Sequence, residues 1–254
     1  MKTLPLFVST AFILAGCVGD NPAADTKPAA KTPAPVTAEN VVRAARAQPA
    51  RRVHPDSSNW RTLFDLDLAN AEFEQGVWFI NDEGDLTANK DSAIWSNRDY
   101  QNFILDFEYK LDPGANSGCL VYCVNKKNWI PGTVEVQLLD DNAVQPGKMN
   151  GTERNGGLYG HLAPKVNNAK PAGEWNRMTV WAVGKRIRVA VNGEVTVDAD
   201  LSVWKDAKKN PDGSDIPSWL SVPWSQIPTH GRIGFQGRHG KAAPYFRFIR
   251  VKEL

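Results

Sequence analysis

The sequence predicts an all-β protein, an antiparallel β-sandwich or jelly roll, and three observations carry that prediction. Apolar or alternating runs are short and recur from about residue 60 to the end; clusters of Gly, Pro, Asn and Asp separate them; and no segment sustains a helical period of useful length. Short strands with no helices between them can bury their apolar faces only by packing sheet on sheet.

In chain order the strand-like runs fall at 62–66, 77–80, 103–111, 118–124, 133–139, 177–183, 186–191, 195–197, 232–235 and 245–251. Turn signals sit between them at Asn81-Asp82-Glu83-Gly84, Asp112-Pro113-Gly114, Pro131-Gly132 and Val183-Gly184-Lys185. Asn192-Gly193, flanked by Arg188-Val189-Ala190-Val191 and Glu194-Val195-Thr196-Val197, marks a hairpin, because Asn-Gly tolerates the positive φ angles of a type I′ turn. The stretch 201–230 departs from this rhythm: it is polar, Pro-rich and carries Trp204, Trp219 and Trp224. Loops this long in a compact domain are often functional, so it either borders a site or caps an open end of the sandwich with its indoles.

Of 254 residues 42% are hydrophobic and 23% charged, with a mean hydropathy of −0.40, the composition of a soluble globular chain. Thirty Lys and Arg against 28 Asp and Glu leave a net charge of +2, too balanced for a nucleic-acid-binding footprint. Residues 1–16 begin with a Lys, continue as an apolar stretch too short to span a membrane, and end in Leu14-Ala15-Gly16 before Cys17. That pattern resembles a bacterial lipoprotein signal, with cleavage before Cys17 and lipidation of its thiol. Residues 17–58 are rich in Ala, Pro and Thr and read as a disordered tether, leaving 59–254 as a single β-sandwich domain. The expected location is therefore the cell envelope, with the lipid at Cys17 as the membrane contact. Val18 leans this toward the outer membrane.

Cys119 and Cys123 lie four apart in one strand-like run, so they are expected on one face about 13 Å apart, too far to bridge, as free buried thiols. In the run 133–139, Glu135 and Gln137 project to one face and Val134, Val136 and Leu138 to the other. A carboxylate and an amide therefore line an open sheet face, and Asp140 joins them only through a bulge or at the strand end. Gln137 stands where a direct glycosidase would carry a second acid, and a retaining enzyme needs two carboxyl groups about 5–5.5 Å apart. Among four histidines, His161 follows a glycine-rich turn and His239 ends a strand, so both are candidates for a site shared with Glu135. No local metal-ligand spacing occurs, although His, Asp and Glu could in principle converge on a divalent cation.

Several stretches in order resemble the 3-keto-disaccharide hydrolase domain, a concanavalin A-like sandwich. They are Trp60-Arg61-Thr62-Leu63-Phe64-Asp65, Leu111-Asp112-Pro113-Gly114-Ala115-Asn116-Ser117-Gly118, Val134-Glu135-Val136-Gln137-Leu138-Leu139-Asp140, Gly157-Leu158-Tyr159-Gly160, Pro171-Ala172-Gly173-Glu174-Trp175-Asn176, Val191-Asn192-Gly193 and Gly231-Arg232-Ile233-Gly234-Phe235-Gln236 through His239-Gly240. One departure is Tyr122, at a position where members often carry Arg.

The resemblance implies action on glycosides with a ketone at carbon 3. Such a ketone acidifies the C2 proton, so one base, an enolate stabiliser and a proton donor suffice for elimination of the C1 substituent, followed by hydration. Glu135, His239 and His161 are the catalytic candidates this implies. Asn116, Gln137 and Arg238, or a bound cation, are the enolate stabilisers; Trp129 or a loop indole stacks on sugar; Tyr122, Asp140, Tyr159 and Gln236 complete the substrate-binding set. A non-catalytic, lectin-like reading of the same sandwich stands beside this one, with carbohydrate as partner in both.

Overall fold

The computed structural model describes residues 58–145, 148 and 150–254, so the lipoprotein signal, Cys17 and the tether up to residue 57 lie outside the described residues. Within them the protein is the all-β antiparallel sandwich that the sequence predicts. Its strands are β1 (Arg61–Thr62), β2 (Ala71–Glu72), β3 (Trp78–Ile80), β4 (Leu86–Ala88), β5 (Ile94–Ser96), β6 (Phe103–Leu111), β7 (Asn116–Cys123), β8 (Val134–Leu139), β9 (Asn176–Val183), β10 (Arg186–Val191), β11 (Glu194–Asp200), β12 (Arg232–Phe235) and β13 (Pro244–Glu253). One sheet runs β11-β10-β9-β6-β13-β4-β3, with β1 also paired to β13; the other runs β2-β5-β12-β7-β8.

Alternation dictates what each sheet buries. Along β6, Phe103, Leu105, Phe107, Tyr109 and Leu111 point into the core between the sheets, where they meet Phe235 of β12 and Phe246 of β13. The intervening Asp106 and Glu108 face outward but are covered, and they are held by charge. Asp106 takes both Nε and Nη2 of Arg177 at 2.8 and 3.0 Å and the Thr179 hydroxyl at 2.9 Å, while Glu108 accepts from Arg247 Nε at 2.8 Å. A buried carboxylate is tolerable only with such partners.

The Asn192-Gly193 hairpin joins β10 to β11 as predicted, with φ of 51° and 88° at its two central residues. The long loop 201–230 is not a free flap. Leu201, Trp204, Ile216, Leu220, Trp224 and Ile227 are buried in the main core, and of the loop's three indoles only that of Trp219, 55% exposed, projects outward.

Two expectations about β7 are corrected. At the β7–β12 pairing Arg232 opposes Cys123 and Gly234 opposes Leu120, so β7 carries an extra residue, and Tyr122 takes φ 64°. Such a bulge breaks the two-residue alternation. Val121 and Tyr122 both enter the core, and Cys119 and Cys123 end on opposite faces of the sheet, Cys119 in the main core and Cys123 against Trp95 and Leu120. Both thiols are nonetheless free and buried, and burial raises the pKa of each above its ordinary value. Tyr122 is wholly buried, packs edge-on against Phe103 and donates its hydroxyl to the Gly184 carbonyl at 2.9 Å. It therefore has no access to a sugar on the outer face.

Candidate active site

The outer face of the five-stranded sheet carries the chemistry. In β8, Glu135 and Gln137 point outward between Val134, Val136 and Leu138, which are all fully buried in the core. The cross-strand partner of Gln137 is Gly118 and that of Glu135 is Leu120. A Cβ at Gly118 would come within 2.1 Å of Glu135 Oε1 and 2.7 Å of its Cγ, so the carboxyl side chain lies directly over the bare backbone of β7. Glycine at 118 is what lets the carboxyl lie flat there.

Burial, reinforced by the negative charge of Asp91, pushes the Glu135 carboxyl up to about 8. The residue is not sealed, since part of its surface reaches solvent. Asp91 in turn holds His239: Nδ1 of the imidazole lies 2.5 Å from Asp91 Oδ2. A carboxylate only accepts, so Nδ1 carries the proton and Nε2 is left to handle a second one. The His239 backbone is pinned as well, donating to the Asn116 carbonyl at 3.2 Å.

The segment after the glycine-rich turn runs along the free edge of β8. Gln137 donates to the Gly157 carbonyl at 3.0 Å and Tyr159 to the Glu135 carbonyl at 3.0 Å, while Leu158 is buried in the core. This covers an edge strand and places Tyr159 beside Glu135. Burial first, then the charge of Glu135, raise the pKa of the Tyr159 phenol, and the Trp219 side chain hydrogen-bonds to it. Gln137 is 2% exposed; its Nε2 reaches Asn116 Oδ1 at 3.4 Å, and its Oε1 has no partner among the described residues. An unpaired buried amide oxygen is costly unless a ligand meets it.

Beside this cluster lies a cleft of about 480 Å³ walled by Asp91, Ala93, Trp95 and Trp129, whose indoles meet edge to face at 6.1 Å. Trp95 lies over Gly234 of β12, where any Cβ would come within 2.5 Å of the indole.

The structure thus brings together Glu135, Gln137, Asn116, Tyr159, His239 and the loop indole of Trp219 from the sequence reading, places Trp129 in the neighbouring cleft, and adds Asp91 and Trp95. Gln236 stays near, its N–H donating to the Gly118 carbonyl at 2.9 Å. Two others, His161 and Asp140, are spent elsewhere. His161 is 3% exposed, stacked on Trp224 with ring centres 3.4 Å apart, and bonded through Nδ1 to the Tyr159 carbonyl. Burial drives its pKa down to about 4, so it is a neutral ring of the loop core. Asp140 is spent on backbone, accepting from Gly114 and Asn142 N–H groups at 2.9 and 3.2 Å. Arg238 donates its backbone N–H to the Lys90 carbonyl at 2.8 Å, next to Asp91, and its Nε is buried without a hydrogen-bond partner among the described residues. Among the described residues no three His, Cys, Asp or Glu side chains converge as a metal site would require.

Asp91 and Trp95 had no legible signal. Asp91 sits in an ordinary polar turn, Asn89-Lys90-Asp91-Ser92, and Trp95 in a strand of three residues.

A crystal structure from Parabacteroides distasonis ATCC 8503, described provisionally as a glycosyl hydrolase, is 44% identical, covering 77% of this chain and 99% of its own, with a TM-score of 0.74. A second from the same organism, described in the same words, is 23% identical over 78% of this chain and 90% of its own, with a TM-score of 0.57, and shares the fold. No curated protein matches. Residues 58–252, nearly the whole sandwich, match the 3-keto-alpha-glucoside-1,2-lyase-like domain, and the chain belongs to that family.

Proposed function

We propose that the protein cleaves the glycosidic bond of 3-keto-glycosides by C2 deprotonation and elimination, with hydration completing a net hydrolysis. One observation carries this reading: a single carboxyl with its pKa raised to about 8 shares a recess with an Asp-His pair. The charged residue that acts on Glu135 is Asp91, and Asp91 is engaged with His239, so the arrangement supplies one base and one proton donor. Elimination needs just those. The glycosyl-hydrolase description of the 44%-identical relative and the lyase description of the family support the same chemistry.

In the proposed reaction Glu135, as carboxylate, takes the C2 proton. The C2 electron pair forms the C1=C2 double bond, and the C1–O bond breaks with its electrons remaining on the leaving oxygen. His239 Nε2 gives that oxygen its proton. The Tyr159 phenol, kept protonated, donates to the ketone oxygen as charge builds on it. The Gln137 amide, with one side unpaired, binds a neighbouring hydroxyl together with Asn116. Hydration reverses the proton traffic: His239 takes a proton from water as its oxygen adds to C1, and Glu135 returns one to C2. At neutral pH about a tenth of the Glu135 carboxyls are ionised, but a base of pKa near 8 is far stronger than an ordinary carboxylate.

The test is NMR in deuterated water with methyl 3-ketoglucoside and its unoxidised parent. The expected result is cleavage of the keto compound alone, with deuterium entering C2. The expected kcat/KM profile is bell-shaped, rising on the acid limb as Glu135 ionises and falling on the alkaline limb as His239 loses the proton it must give. Turnover of the parent at a similar rate, or cleavage without C2 exchange, would overturn the elimination reading.

A further inference from the structure

Tyr159 is held at every polar group it has. Its N–H donates to the Glu135 carbonyl at 3.0 Å, its carbonyl lies 2.9 Å from His161 Nδ1, and its phenol oxygen accepts from the Trp219 side chain. A carbonyl only accepts, so the neutral His161 ring carries its proton on Nδ1 and donates it there. The next carbonyl, that of Gly160, accepts from Asn210 Nδ2 at 3.1 Å, and the His161 ring is stacked on Trp224.

Three of these supports, Asn210, Trp219 and Trp224, belong to the long loop 201–230. The loop approaches as closely as bare backbone allows: a Cβ at Gly160, which has φ 71°, would lie 2.5 Å from Leu220 Cδ1 and 3.0 Å from Pro217 Cδ. Residues 217–220 therefore rest on the residue that follows Tyr159. Trp219 lies within that turn, which the Leu220 N–H closes by donating to the Pro217 carbonyl at 2.9 Å. Trp204 and Trp224 fill the core beneath the loop, whereas the Trp219 indole is 55% exposed, so packing does not account for it.

Its hydrogen bond does. An indole N–H only donates, so the phenol oxygen receives that bond and keeps its own O–H for a different acceptor. In the elimination the acceptor is the ketone oxygen, on which charge grows as C2 loses its proton. A phenol donating to a developing enolate gathers negative charge on its own oxygen, and a second donor behind it stabilises that charge.

We infer that Trp219 is a positioning residue for the reaction: its indole N–H aims the Tyr159 phenol at the ketone oxygen and strengthens it as an enolate donor. The long loop is thereby part of the catalytic apparatus. This role rests on the elimination reading above, and the experiment separates the two. Trp219→Phe keeps a ring and removes the N–H, so it is made alone and together with Tyr159→Phe, and turnover of methyl 3-ketoglucoside is followed in all four proteins. Alone it is expected to lower kcat about fivefold with KM nearly unchanged; once Tyr159 is Phe it should change kcat by less than about twofold. Independently of turnover, the ketoglucoside enriched in 13C at C3 is bound to Glu135→Gln, which lacks the base. Its carbonyl resonance is expected to move downfield on binding, by less when Trp219→Phe is added, and not at all when Tyr159→Phe is added.

A loss of kcat that is equal in both backgrounds would overturn the positioning role, because the indole would then act without the phenol. So would an unchanged kcat in Trp219→Phe, or a carbonyl shift that does not respond to that substitution. If the wild type places no deuterium at C2 while the carbonyl shift still depends on both Trp219 and Tyr159, the positioning role stands and the elimination reading falls.

Discussion

Replacing Glu135 by Gln should make the protein more stable, and the gain should grow with pH. In the folded state the carboxyl is held up to about 8, against an ordinary 4.5. Between those values the native protein keeps a proton that the unfolded chain has released, so native binds more protons and stability falls as pH rises. Each unit of displacement is worth ~1.36 kcal/mol, which from 4.5 to about 8 sums to about 5 kcal/mol as an upper bound above pH 8. Because the residue keeps some contact with solvent, we expect about half of that, ~2–3 kcal/mol. Gln is nearly isosteric and never ionises, so it removes the penalty without opening a cavity. Urea unfolding of wild type and Glu135→Gln at pH 5, 6, 7, 8 and 9 measures this directly, with equal slopes required in the two proteins. The two should be almost equally stable at pH 5 and diverge toward pH 9. A difference that stays flat across that range, or that widens toward acid, would refute the burial argument for Glu135 and remove the strong base from the mechanism.

Two further outcomes follow from the site geometry. Gly118→Ala places a methyl within 2.1 Å of Glu135 Oε1, so it should fold but lose about a hundredfold in kcat, read by steady-state kinetics beside a thermal melt. Tyr122→Phe removes only a buried bond to Gly184 and should cost about 1 kcal/mol with kcat/KM intact, whereas Tyr159→Phe removes the proposed enolate donor and should lower kcat at least tenfold; parallel denaturation and rate measurements distinguish the pair.

What the sequence could tell about this site depended on how local its cause was. Glu135 and Gln137 were legible because β8 is six residues of unbroken alternation, so face follows from parity alone. Parity failed in β7, where a single inserted residue at Tyr122 flips everything after it; a tyrosine at φ 64° announces nothing in the sequence, unlike the glycine or asparagine such an angle favours. The strands β2, β4 and β5 have two or three residues each, too few to show a period, and exist because longer neighbours offer them a hydrogen-bonded edge. His161 was misread for a different reason. A glycine-rich turn does expose the residue after it, until a loop from far along the chain lays Trp224 on its ring.

The same distinction bears on why the site is built as it is. Asp91, Glu135, Tyr159 and His239 come from four separate parts of the chain, and none is placed by its own neighbours alone. Glu135 depends on the missing side chain of Gly118, Tyr159 on two backbone bonds along the edge of β8, and His239 on both Asp91 and Asn116. Each support fixes a group at its backbone or at the atom that does not react, leaving the carboxyl of Glu135, the phenol of Tyr159 and Nε2 of His239 to meet a substrate. A structural carboxylate in this fold looks different: Asp106 has two cationic partners and a hydroxyl, and burial is offset. Among the described residues no cation acts on Glu135 and a like charge lies nearby, an arrangement that lowers stability at every pH above its ordinary titration. A sheet face under selection for stability alone would place an aliphatic or paired residue there, so the unoffset burial of Glu135 is itself the argument that the carboxyl is kept for its reactivity.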